Sequence, residues 1–134
     1  MRVMIIVALI DHVTKVLEEM AITERNIADL EDKISRLEEA SSKLRTSLTV
    51  VRSYAKSIVY LVIDPKKWKG EEYTDYEDVY DSYKEETKSY VTGLEEAKET
   101  IDEDIKRYQV ELDTALNDLL NQELALEALK NKTN

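Results

Sequence analysis

The chain has 134 residues, of which 36% are charged and 43% hydrophobic, a balance that allows one domain and excludes simple disorder. Two glycines and one proline are too few turn residues for a mostly β or α/β chain of this length. The absence of cysteine excludes disulfides and thiolate metal sites, and one histidine, His12, leaves little for imidazole catalysis. The formal net charge of −10 lies wholly in the second half, and fourteen acids fall between Glu71 and Asp104 against Lys84, Lys88 and Lys98. A field of that sign repels nucleic acid and anionic lipid. It reads as a solvated helix face or as a dock for a basic partner.

Val3 to Ile10 is apolar throughout, but eight residues fall far short of the roughly 20 needed to span a bilayer. No small-residue cleavage site follows, so the segment is expected to belong to the mature fold. It opens a helix. Apolar residues recur at spacings of three and four through Ile6, Leu9, Val13, Val16 and Met20, and on to Leu48, Val51, Ala55, Ile58 and Val62. Only Thr23 and Ser41 are polar on this stripe, which predicts one amphipathic helix over about 3–62. His12 falls on its flank.

Residues 63–70, Ile63 to Gly70, form the only credible break. Pro65 cannot continue a helix from upstream, Asp64 suits an N-cap, and Gly70 adds backbone freedom. A second helix is expected over about 71–131. Its stripe reads Tyr73, Tyr76, Tyr80, Tyr83, Thr87, Tyr90, Leu94, Ala97, Ile101, Ile105, Tyr108, Leu112, Ala115, Leu119, Gln122, Leu126 and Leu129. The steps from Ala97 to Ile101 to Ile105 make a stutter, which locally unwinds a left-handed supercoil. Two equal helices and a short link predict an all-α, single-domain, antiparallel two-helix hairpin spanning 1–134. Pairing outward from the break sets Ala55 with Tyr80, Ser41 with Leu94, Ile27 with Tyr108 and Ile6 with Leu129. The tyrosines are expected on the seam, packed against Leu44, Val51, Ala55 and Ile58.

A hairpin buries one stripe of each helix, so the remaining apolar residues are the candidates for function. Val3, Met4, Ile5, Val7, Ile10 and Leu17 widen the first stripe, and Leu116, Leu120 and Leu124 form a row beside the second. The predicted partner interface is Ile5, Ile10, Leu17, Leu116, Leu120 and Leu124. Its occupant is either a second copy of the chain or a partner helix. Catalytic signals are absent: the carboxylates do not converge, Glu-x-x-His metal motifs are missing, and Asp102, Glu103 and Asp104 point in different directions on a helix. No enzyme activity, metal or cofactor is expected.

Trp68-Lys69-Gly70 places a Trp-x-Gly tripeptide between two equal helices. This arrangement resembles the WXG-motif superfamily of type VII secretion. The long charged helices and the sequence Lys66-Lys67-Trp68-Lys69-Gly70 are most similar to its YwqH-like branch, whose members accompany LXG-type toxins of Gram-positive bacteria. The resemblance implies a non-catalytic adaptor that binds the helical N-terminal domain of an LXG toxin and supports its export. It implies a cytoplasmic protein before export, open to co-secretion and to a second small helical accessory partner. Trp68 and Gly70 would form the bend, with Trp68 capping the last core layer or touching the secretion machinery. The chain departs from the family's export signal, Tyr-x-x-x-Asp/Glu just after the second helix. Tyr108 is followed four residues on by Leu112, and Tyr73 and Glu77, which match the spacing, lie at the start of the second helix. The competing reading is a homo-oligomeric structural coiled coil with no toxin client.

Overall fold

The structure, a computed structural model, describes residues 2–59 and 71–133, with side chains over 2–57 and 77–132. It is an all-α hairpin of two long helices, α1 (Arg2–Val59) and α2 (Glu71–Thr133), that pack on each other. The predicted link with Pro65, Trp68 and Gly70 lies outside the described residues, as do the side chains of Ile58, Val62, Tyr73 and Tyr76. α2 continues past the expected end at residue 131. No glycine or proline interrupts α1, and Lys56 in its last turn and Lys130 and Lys132 in that of α2 complement the helix dipoles.

The predicted α1 stripe is the observed one. Every residue of it from Leu9 to Ala55 is buried or half-buried, and Ala40 is the only other described α1 side chain that is not exposed. α2 departs from expectation. Tyr83, Tyr90 and Ala97 are exposed, while Val91 and Lys98 are half-buried. From Thr87 the seam runs Val91, Leu94, Lys98, Ile101, Ile105, Tyr108 and onward in unbroken steps of three and four, with Tyr80 one heptad before Thr87. There is no stutter. Holding Tyr90 and Ala97 on the seam forces a four-four step, whereas the aliphatic stem of Lys98 fits the heptad and its ammonium reaches the rim. With the first seam residue of each heptad labelled a (Ser41, Leu48 and Ala55 on α1; Val91, Lys98 and Leu112 on α2), Arg52 and Glu95 are both e positions. Their side chains pair at 2.8 Å. An antiparallel pair thus has two edges, one bordered by the e positions of both helices and one by the g positions.

Contacts group the chain into two compact units, Met1–Leu37 with Asp104–Asn134 and Glu38–Glu103. In the first, Ile27, Leu30 and Ala115 form a buried cluster against which Tyr108, Leu112 and Leu119 pack. Ile34 and Leu126 are buried as well. In the second, Leu48 is the only buried aliphatic residue among those described, and the buried Ser41 is polar. Ser41 Oγ donates a 2.5 Å hydrogen bond to Asp102 Oδ1, and Lys98 Nζ donates one of 2.6 Å to Oδ2 of the same carboxylate.

This trio corrects the expected register. Pairing Ser41 with Leu94 would leave Asp102 eight residues away, about 12 Å along the axis. The observed bond moves α2 by one heptad, so that Ser41 lies beside Ile101. Two regular stripes permit either alignment on apolar periodicity alone. In the observed one Ser41 of α1 meets the Asp102 carboxylate, which Lys98 of the same helix α2 also binds. A slip of one heptad would set Ser41 beside Leu94 and bring Glu95, the preceding e position, to the place of Asp102. In this register the described part of α2 has no residue opposite the first turns of α1. Ile6, expected against Leu129, is accordingly 54% exposed.

Candidate functional site

The first unit carries an outer stripe that no described residue covers. Val3, Val7, Ile10, Thr14, Leu17 and Ala21 follow one another at spacings of four and three. These are the e and b positions of α1, and all are exposed. The first three heptads of α1 are thus apolar on two adjacent faces, the seam face and an open one. Leu116 occupies an e position of α2 and Leu120 the b position beside it, so both border the same edge. Ile10 and Leu17 are 57% and 49% exposed.

Of the six predicted interface residues, the structure gathers Ile10, Leu17, Leu116 and Leu120 on this edge. Ile5 is exposed at a g position on the other edge, and Leu124 is exposed on the outer back of α2. Sequence reading finds the exposed apolar residues but takes them singly. The signal it misses is the second heptad, in which Val3, Val7 and Thr14 belong with Ile10 and Leu17. A heptad stripe is a pattern for receiving another helix, because each knob needs a hole in a facing helix at the same repeat.

One titratable group, Asp102, stands out electrostatically. The hydrogen bond from Lys98 holds the Asp102 carboxyl below the ordinary aspartate value, assisted by that from Ser41. Partial desolvation opposes them, and the charges of Lys98 and Arg45 add a little. Among the described residues no cluster of His, Asp or Glu is placed to hold a metal ion, and no helix is long and apolar enough to cross a membrane.

Comparison with known proteins adds one decisive match. The model of the YwqH-like family matches residues 12–131, nearly all of both helices. The chain belongs to the YwqH-like family. No curated protein and no solved structure matches it. In this YwqH-like chain the matched region includes Leu17, Leu116, Leu120 and the Ser41–Asp102–Lys98 trio.

Proposed function

We propose that this YwqH-like protein is a non-catalytic adaptor of type VII secretion. It binds the helical N-terminal domain of an LXG-type toxin and supports its export. The observation that carries the reading is the second heptad stripe on α1, from Val3 to Ala21. The occupant that fits it is a helix of matching repeat, and a long helical domain supplies one. Burying each such side chain is worth roughly 1.5 to 3 kcal/mol, enough for several together to outweigh the cost of association. Family membership supports the toxin as client. The Trp-x-Gly of Trp68 and Gly70 supports a place in the wider WXG superfamily. On this reading the protein meets its client in the cytoplasm before export, either alone or beside a second small helical accessory protein, and is open to co-secretion.

The test is co-expression with an LXG-type N-terminal domain, followed by pull-down and mass measurement. Ile10→Glu with Leu17→Glu should abolish capture while circular dichroism stays helical, and Leu116→Glu with Leu120→Glu should weaken it. Capture that survives all four changes would place the client elsewhere and remove the basis for this reading.

A further inference from the structure

The second unit also has two unlike edges. Its e edge is charged and cross-linked by Arg52 with Glu95 and by the Asp102 trio. Its g edge is almost free of charge. Ala40, Ser47 and Tyr54 border it from α1, and Tyr83, Tyr90 and Ala97 from α2. The neighbouring c positions include Val50, Val79 and Gly93. Every large apolar side chain exposed between residues 38 and 103, among those described, lies on this side: Val50, Tyr54, Val79, Tyr83 and Tyr90. The three tyrosines are 58–66% exposed.

Two of the hydroxyls here are each spent on their own helix. Ser57 Oγ donates to the Ser53 carbonyl at 3.1 Å and Thr100 Oγ1 to that of Glu96 at 3.0 Å. Gly93 is the independent sign. A Cβ there would meet nothing within 4 Å, so no packing inside the chain calls for glycine, which is disfavoured against alanine in a helix interior. Glycine in a helix facing open space suits close approach by another chain.

We propose that this tyrosine-and-glycine edge is a dimer interface for a second copy of the chain. Both helices contribute to the surface, so a second hairpin can meet it with both of its own. The bulky and small residues are segregated along it, with Tyr54, Tyr83 and Val79 toward one end and Ala40, Ala97 and Thr100 toward the other. A copy laid antiparallel across the edge sets tyrosines over small residues, Tyr90 over Gly93 and Tyr83 over Thr100, which is the self-complementarity a two-fold interface requires. Lys43 and Glu86 are the only charges on the g and c positions of this edge, so two copies meet there despite a net charge of −10 each. Its exposed rings and valines leave roughly 500 Å² per copy, or about 1,000 Å² for two, which reaches the size of specific interfaces. The surface is separate from the client stripe and goes beyond the adaptor reading.

The experiment is sedimentation velocity on the purified full chain without any client. The wild type should sediment as a dimer. Tyr83→Ser with Tyr90→Ser should raise the dimer dissociation constant by about tenfold or more, as loss of interface anchors does. Gly93→Leu should do the same while strengthening the helix, which separates blocked approach from failed folding. Ile10→Glu with Leu17→Glu should leave the dimer intact. A wild-type monomer at the highest soluble concentration, a dimer indifferent to the tyrosine and glycine changes, or one dissolved by Ile10→Glu with Leu17→Glu overturns the proposal. Client capture is scored separately, so either reading can fail alone.

Discussion

The two units are built on the same seven-residue repeat yet hold their helices together by different means. Residues 1–37 with 104–134 use aliphatic layers around Ile27, Leu30 and Ala115. Residues 38–103 have one described buried aliphatic, Leu48, and place Ser41 and Lys98 on the seam. Aliphatic layers supply affinity between helices but little discrimination between registers, since every heptad offers similar knobs and holes. Polar seam residues contribute less energy, and in the observed alignment Ser41 is satisfied across the helices by Asp102. The two units thus differ in what fills the seam, mostly aliphatic layers in one and a hydrogen-bonded carboxylate at its border in the other.

That division is open to attack from both sides. The largest effect is expected from Leu30→Ala, which should lower stability by about 2–5 kcal/mol in urea unfolding followed by circular dichroism. Leu48→Ala is its control. If hydrogen exchange shows both substitutions loosening the same amides equally, the units are not distinct in how they hold together. Next, Gln122 carries a buried side-chain oxygen, Oε1, without a hydrogen-bond partner on the seam of the first unit. Gln122→Leu should raise stability by about 1–3 kcal/mol by removing it. No gain in the urea midpoint would show that the oxygen is satisfied in solution.

The second unit should respond to acid. The folded pKa of Asp102 is lowered. Its contribution is therefore complete above the ordinary aspartate value of about 3.9 and is lost as pH falls through the lower folded value. Lys98→Leu removes the largest cause of the lowering. In that variant the carboxyl should titrate at higher pH by NMR, and amide protection near Ser41 should fail earlier during acidification. Superimposable acid profiles for wild type and variant would deny the trio its role. The smallest effect belongs to Arg52→Ala, which breaks an exposed ion pair worth about 0–1 kcal/mol and sensitive to salt. A larger loss would mean that the charged edge stabilises the second unit as much as its seam does.

The α1 seam is legible in the sequence because its residues are nearly all aliphatic and recur without interruption. Leu9, Val13, Val16 and Met20 lead through Ile27, Leu30 and Ile34 to Leu48, Val51 and Ala55, with only Thr23 and Ser41 polar among them. The α2 seam is harder to read, for a chemical reason. Tyr83 and Tyr90 score as apolar and Lys98 as charged, yet the heptad turns the tyrosines out and lays the lysine stem in. Hydrophobicity by residue type fails where an amphipathic side chain can snorkel. The register is not legible at all, because two regular stripes match at every seventh residue and the deciding contact, Ser41 with Asp102, involves an e position off the stripe. The candidate interface is half legible. Exposure of Ile10, Leu17, Leu116 and Leu120 follows from there being only one partner helix within the chain. Their sharing an edge, and the exclusion of Ile5 and Leu124 from it, require the observed heptad frame.

The seam, the outer stripe of α1 and the tyrosine edge are all written in that one frame, and this restricts how the chain can change in length. Deleting a single residue from either helix turns everything beyond it by about 100°. Such a deletion would carry seam residues to the surface and swap the outer faces in the same stroke. Removing seven residues restores every face but shifts the Ser41–Asp102 contact unless the other helix loses seven at the same height. Length variation in this hairpin is therefore quantised, in whole heptads taken from both helices together.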